Sequence, residues 1–278
     1  MFEGRELFIS TNHGKEKVIG PMMFESLGIN CFTSPEINTD LFGTFSGEIE
    51  RLDDPFTTAK NKCKKGMELS GFDMVLASEG SFGPHPTLLF VPADDEILVL
   101  IDNKNDLLIS AREISTDTNF GAKEIYTEEE LLDFALKHLF PSHAMILKSN
   151  GSGSNDVIKG ITKKEDLIKG FSELQSKYRS VLIETDMRAM YNPSRMKVIG
   201  AACKKLIDKI KSCCPTCNLP GFSVSEVVQG LPCELCGAPT HSTLKYIYRC
   251  QKCNYNQIEM YPNTRQYEDP MFCNVCNP

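Results

Sequence analysis

The chain has no tryptophan, and histidine is scarce, at five residues in 278. No apolar run approaches the ~20 residues that a membrane-spanning helix needs, so no membrane partner is expected. The opening residues, Met1-Phe2-Glu3-Gly4-Arg5-Glu6, lack the basic start and long apolar stretch of a secretory signal. A cytoplasmic location is expected from this. Positive charge is also short: 30 basic residues stand against 37 acidic ones, for a net charge of −7. That balance disfavours a sequence-independent nucleic-acid binder, which needs cationic surface against phosphate. Hydrophobic residues make up 41% of the chain and charged ones 24%, so a packed soluble fold of one or two domains is expected, not disorder.

Cysteine is abundant instead. Of twelve cysteines, Cys31, Cys63, Cys203 and Cys213 are scattered and read as small buried side chains. The other eight form Cys-x-x-Cys pairs in the last quarter: Cys214/Cys217, Cys233/Cys236, Cys250/Cys253 and Cys273/Cys276. Four pairs can close two tetrahedral all-thiolate sites with no open position, which suits two structural zinc ions. Two pairings satisfy the spacing. Either the inner pairs, Cys233/Cys236 and Cys250/Cys253, share one ion and the outer pairs the other, or the pairs combine in sequential order. Thr243 to Arg249 reads as the hairpin of a zinc ribbon. Basic residues of this tail (Lys245, Arg249, Lys252, Arg265) do not exceed acidic ones (Glu226, Glu234, Glu259, Glu268, Asp269), so it is no phosphate-binding surface. Its tyrosines, Tyr246, Tyr248, Tyr255, Tyr261 and Tyr267, are expected to fill a small core around the metal.

Before the tail, strands and helices alternate. Strands are expected at Leu7–Ser10, Asn30–Thr33, Asp73–Ser78, Leu88–Val91, Ile97–Asp102, Leu107–Arg112, His143–Lys148 and Val181–Glu184. Helices are expected at 15–27, 55–70, 127–139, 162–178 and 193–211. Pro55 suits a first helical turn, and Thr127 with Glu130 has capping-box spacing. The pattern implies an α/β fold: a mixed-sheet α/β sandwich over 1–212, with a zinc-ribbon-like module over 213–278.

Polar residues gather at three expected strand ends or helix starts. Ser10-Thr11-Asn12-His13-Gly14-Lys15 follows the first strand and opens a helix, a setting in which backbone N–H groups and a lysine can hold an anion. Ala59-Lys60-Asn61-Lys62 lies on the second helix, after an acidic loop that holds Glu48. Glu79-Gly80-Ser81-Phe82-Gly83-Pro84-His85-Pro86 is expected as a loop directly after a buried strand, a good place for a metal-binding or basic carboxylate. A fourth block, Thr185 to Met196, carries Asp186, Arg188, Asn192 and Arg195. Its arginines suit a phosphate clamp and suit equally an Asp–Arg pair with a helix cap.

In their order, Ser10-x-Asn12-x-x-Lys15, Ala59-Lys60-Asn61-Lys62 and Asp73-x-x-Leu76-x-x-Glu79-Gly80 resemble motifs of the inosine/xanthosine triphosphatase superfamily of house-cleaning nucleotide hydrolases. The resemblance covers roughly residues 7 to 85. It implies that Lys15 contacts a triphosphate and that Glu79 holds Mg²⁺ or activates water, with Glu48 as a further Mg²⁺ ligand. Ser10, Thr11, Asn12, Lys60, Asn61, Ser81, His85, Arg188 and Arg195 are the candidate substrate contacts. The whole chain, including the Thr185–Met196 block and the cysteine-rich tail, also resembles an uncharacterised bacterial family of unknown function. Two readings result: a Mg²⁺-dependent hydrolase of nucleotides or related phosphoanhydrides, or a nucleotide- or RNA-associated adaptor whose zinc tail contacts a protein partner.

Overall fold

The computed structural model describes residues 1–11, 13–34, 53–149 and 156–278. It separates into two compact units, Met1–Leu206 and Ile207–Pro278, so the division falls inside the last long helix. Asn12 and Glu48 lie outside the described residues.

The first unit begins with β1 (Glu6–Ser10), α1 (Glu16–Leu27), β2 (Asn30–Phe32), α2 (Pro55–Ser70), β3 (Met74–Pro84), β4 (Pro92–Asp102) and β5 (Leu107–Ser115). The five strands form one sheet in the order β2-β1-β3-β4-β5. The pairs among β2, β1 and β3 are parallel, and those among β3, β4 and β5 are antiparallel, so the sheet is mixed. α2 starts where Asp54 accepts hydrogen bonds from the N–H groups of Phe56 (2.9 Å) and Thr57 (3.1 Å), with Pro55 in the first turn. Both devices satisfy or remove orphan N–H groups of a helix start. Its buried face carries Ala59, Cys63 and Gly66 at helical spacing and covers Phe8, Val75, Ala77 and Val99.

A second sheet follows, built from β6 (Ala122–Ile125), β7 (Met145–Ser149), β8 (Val157–Ile161) and β9 (Val181–Thr185) in the order β6-β9-β7-β8, all antiparallel. Two helices, α3 (Glu128–Lys137) and α4 (Lys164–Gln175), share a core with it that includes Leu131, Phe134, Leu147, Leu167, Phe171 and Ile183. Thr127 caps α3 by accepting from the N–H of Glu130 at 3.2 Å, and Glu130 reaches back to the N–H of Tyr126 at 2.8 Å. α5 (Pro193–Lys211) then starts behind Asn192, whose side chain accepts from the N–H of Arg195 at 2.9 Å. It packs on α1, where Gly200 leaves room for Val18, and on β5 through Lys205 and Glu113.

Two strand expectations need correction. β3 does not stop at Ser78. It pairs with β4 without a break from Met74↔Asp102 to Pro84↔Pro92, so Glu79, Gly80 and Ser81 are strand residues and not a loop. The charged triplet Asp94-Asp95-Glu96 disguises the partner strand, because its alternation is polar where most strands are apolar. Leu88–Val91 is the turn between β3 and β4, not a strand. β6 and β8 were not expected at all. Each is short, and their sequences carry lysine, glutamate or glycine among few apolar residues.

The second unit holds a three-stranded antiparallel sheet, β10 (Ser223–Gln229), β11 (Thr243–Arg249) and β12 (Asn256–Met260), in that order. The ring of Phe222 packs against Tyr248 and Tyr255 at centroid distances of 5.7 and 5.9 Å.

Candidate functional site

Side chains alternate across a strand, so the register of β3 with β4 separates two sets of groups. Glu79 points to the α2 face of the sheet and accepts from Lys62 Nζ at 2.6 Å, both side chains being buried. Ser78 and Gly80 point the other way, with Glu96 opposite Gly80 and Asp94 opposite Phe82. On that face Lys15 Nζ donates to Ser78 Oγ at 2.8 Å and stands 3.8 Å from Glu96 Oε2. Arg195 comes down from the first turn of α5. Its Nε donates to Glu96 Oε1 at 2.6 Å and its Nη1 to the Met187 carbonyl at 2.5 Å, and it stacks over the Phe82 ring at 5.0 Å.

This packing depends on Gly80. A Cβ there would sit 2.3 Å from Glu96 Oε1 and 2.5 Å from Arg195 Nη2, well inside contact distance. The pair can cross β3 only because that position has no side chain.

Burial shapes the charge of the cluster. Lys15, Glu79, Asp94, Glu96, Lys62 and Arg195 are all buried. Desolvation lowers the Lys15 ammonium to about 8, with Arg195 and Lys62 pushing the same way and Glu96 and Glu79 resisting. Desolvation and then Glu96 raise the Asp94 carboxyl to about 8. Burial thus disfavours the charged form of both Lys15 and Asp94. Among the described residues, two buried oxygens on the Lys15 face have no hydrogen-bond partner, Asp94 Oδ1 and Glu96 Oε2, and a third, Ser10 Oγ, lies on the α2 face beside Gly66. Buried polar atoms are normally satisfied, so the two carboxylate oxygens are where a further partner would fit.

Of the residues expected in a site, Lys15, Glu79 and Arg195 belong to this cluster, and Ser10 ends β1 beside it, opposite Ala77. Thr11 Oγ1 accepts from the N–H of His13. Ser81 is half-buried opposite Asp95. The others are engaged elsewhere. Asn61 bonds Asp53 near the exposed start of α2, and Lys60 is half-buried on the same helix. His85 Nδ1 accepts the N–H groups of Thr87 and Leu88 and so shapes the hairpin turn. Arg188 folds back on buried Asp186 at 2.6 Å, where the N–H of Gly160 also donates, and lies 4.7 Å over Tyr191. The Thr185–Met196 block thus contains both the Asp–Arg pair and the helix cap, with Arg195 as its contribution to the cluster.

Lys62, Ser78, Asp94 and Glu96 were not among the named candidates. Lys62 could have been found, because it shares the buried stripe of Ala59, Cys63 and Gly66 while Lys60 does not. Asp94 and Glu96 continue the period-two face of Leu98 and Leu100 on β4.

In the second unit the cysteines form two groups, Cys214/Cys217 with Cys250/Cys253 and Cys233/Cys236 with Cys273/Cys276. The first pair joins the third and the second joins the fourth, so both expected pairings are wrong and the sites interleave along the chain. Within each group the sulfurs lie within 4.8 Å of one another. Cross-pair Sγ distances are 3.6 Å (Cys214–Cys253), 3.5 Å (Cys217–Cys250), 3.9 Å (Cys233–Cys276) and 3.7 Å (Cys236–Cys273). A zinc ion with Zn–S bonds of ~2.3 Å in a tetrahedron needs sulfurs about 3.8 Å apart. The donor set and its size fit two structural zinc ions.

Each pair is shaped by a local turn. The N–H of Asn218 donates to the Cys214 carbonyl, that of Gly237 to Cys233 and that of Asn277 to Cys273. Asn218, Gly237 and Asn254, each directly after a second cysteine, have positive φ, which glycine and asparagine adopt at least cost. The first cysteine of every pair is buried. The N–H groups of Cys276 and Val275 hold the Cys273 thiol down at about 7, towards the thiolate that binds metal.

The architecture defines a mixed α/β protein with a two-site cysteine module. The DUF6671 family, described as a domain of unknown function, matches residues 62–278, which is more than half of the chain, and the chain belongs to that family. The match begins at Lys62 and takes in Glu79, Asp94, Glu96, Arg195 and all eight paired cysteines. No curated protein matches the chain. Neither finding supports the resemblance to the inosine/xanthosine triphosphatase superfamily. Among the described residues, no helix is long and apolar enough to cross a membrane.

Proposed function

We propose that the Met1–Leu206 unit is a Mg²⁺-dependent hydrolase of nucleoside triphosphates or related phosphoanhydrides, with the cysteine unit as its zinc-built tail. The observation that supports this most is the set of buried cations near the end of β1, Lys15, Lys62 and Arg195. Buried charge is costly unless it is paired, and phosphate oxygens are partners that lysine and arginine hold well. Lys15 serves the phosphates first, since among the described residues its ammonium is held by a hydroxyl and a distant carboxylate. Lys62 is the second phosphate cation, aimed by Glu79. Ser10 Oγ supplies a hydroxyl to a phosphate oxygen. Hydrolysis of a phosphoanhydride needs cations on the phosphates and a carboxylate-held metal. The thiolate-rich tail suits a reducing, cytoplasmic setting.

The test is turnover by the zinc-loaded full chain with Mg²⁺ against a nucleoside triphosphate panel that includes inosine and xanthosine forms. Release of phosphate or pyrophosphate, lost in Lys15→Met and Glu79→Gln, is the expected result. A second reading, a non-enzymatic adaptor, draws on the exposed Leu235, Met271, Phe272 and Val275 of the cysteine unit. Nucleotide or RNA binding without turnover would favour it. Neither binding nor turnover would remove both.

A further inference from the structure

Asp94 and Glu96 stand two residues apart on β4, and so on one face of the sheet, and they are 1% and 0% exposed. Each presents a buried oxygen with no hydrogen-bond partner, Asp94 Oδ1 and Glu96 Oε2. The neighbouring cations stand close but give these two oxygens no hydrogen bond. Arg195 holds the other Glu96 oxygen and the Met187 carbonyl, and Lys15 donates to Ser78 and remains 3.8 Å from Oε2. Glu79, the carboxylate that the sequence suggested for Mg²⁺, points to the opposite face and is paired with Lys62 at 2.6 Å.

We infer that Asp94 and Glu96 form the divalent-cation site of this protein, holding a Mg²⁺-type ion that shares its remaining positions with water and phosphate oxygens. Mg²⁺ is typically held by one or two carboxylates together with substrate phosphates, not by a full protein cage. That matches a pair of carboxylates with no third carboxylate, histidine or cysteine close enough to complete a cluster among the described residues. The ion would give both partnerless oxygens a ligand. It would also stand beside Lys15, which the proposed function places on the phosphates, and the inference rests on that reading for its phosphate ligands. Gly80 has a second use here, because it keeps Glu96 fixed by Arg195 with Oε2 left over.

The experiment is Mn²⁺ titration of the zinc-loaded full chain, read by electron paramagnetic resonance, with Mn²⁺ alone and with Mn²⁺ plus inorganic pyrophosphate. One Mn²⁺ per chain is expected in at least one condition. Its affinity should fall at least tenfold in Asp94→Asn and Glu96→Gln and stay unchanged in Asp95→Asn, whose side chain faces away and pairs with Arg112. Asp94→Asn is nearly isosteric and breaks no hydrogen bond of Oδ1, so circular dichroism should show it folded even if Glu96→Gln is not. Wild-type affinity in Asp94→Asn, or no Mn²⁺ bound in either condition, overturns the inference. Mn²⁺ binding lost in Asp94→Asn, together with no nucleotide turnover by the wild type, would keep the metal site and remove the hydrolase.

Discussion

In the Met1–Leu206 unit charged side chains are buried and hold one another. In the Ile207–Pro278 unit every residue of β12 is exposed and most of β10 is half-buried at best. The first unit has apolar cores beneath its helices and can carry a costly ionic cluster within them. The second has three short strands, and its most buried side chains include the first cysteine of each pair. The difference teaches what each part can lose. A unit with a large apolar core tolerates internal charge and can devote it to a ligand. A unit of this size and exposure needs cross-links such as metal–thiolate bonds, which its two cysteine groups are arranged to supply.

The strongest way to test this contrast is to remove the zinc. Structural zinc binding contributes on the order of 10–16 kcal/mol per site. A chelator should abolish the β10–β12 sheet while the first unit keeps its strands, as read by limited proteolysis and NMR. Because the sites interleave, Cys233→Ser should also weaken the Cys214/Cys217/Cys250/Cys253 site. Native mass spectrometry showing one fully retained zinc, with the sheet unchanged, would argue against such coupling.

Next in size is the buried pair. Arg195→Met leaves Glu96 charged and partly unpaired, and should cost about 3–5 kcal/mol in urea unfolding. The double variant Arg195→Met/Glu96→Gln should cost clearly less than the two single changes added together. Strict additivity would mean that the two side chains do not depend on each other. Gly80→Ala should cost about 1–3 kcal/mol by overpacking, and it should disturb the Arg195 side-chain resonances although it changes no charge.

The smallest expected effect is a pH dependence in the first unit. Burial lowers the His143 imidazole below its ordinary range, and its Nε2 accepts the N–H of Ser194 at 3.2 Å, which requires a neutral ring nitrogen. With the folded value depressed, the unfolded chain takes up the proton first. The contribution is therefore whole above the ordinary imidazole value and is lost as pH falls from there through the lower folded value. Replacement by Gln should flatten the fall in stability between mildly basic and mildly acidic pH; an unchanged slope would assign that fall to other groups.

Much of the framework is legible in the sequence. The helix at Pro55–Ser70 and the one at Pro193–Lys211 have the expected bounds, because proline starts and apolar spacing are local signals. The Cys-x-x-Cys spacing carried the metal chemistry, since it places two sulfurs on one turn. The ionic cluster was only half legible. Lys15, Glu79 and Arg195 stood out by position, but Asp94 and Glu96 did not, because a charged pair on a strand resembles a solvated edge until its neighbours are known.

The amino-acid sequence by itself determined the elements and the ligand types, which arise from contacts a few residues apart. Which cysteine pair meets which, and that Glu96 lies under Gly80 against Arg195, were decided only by the tertiary structure. Both depend on residues far apart in the chain, such as Glu96 and Arg195 or Cys214 and Cys253, and local spacing has no means of choosing among such partners.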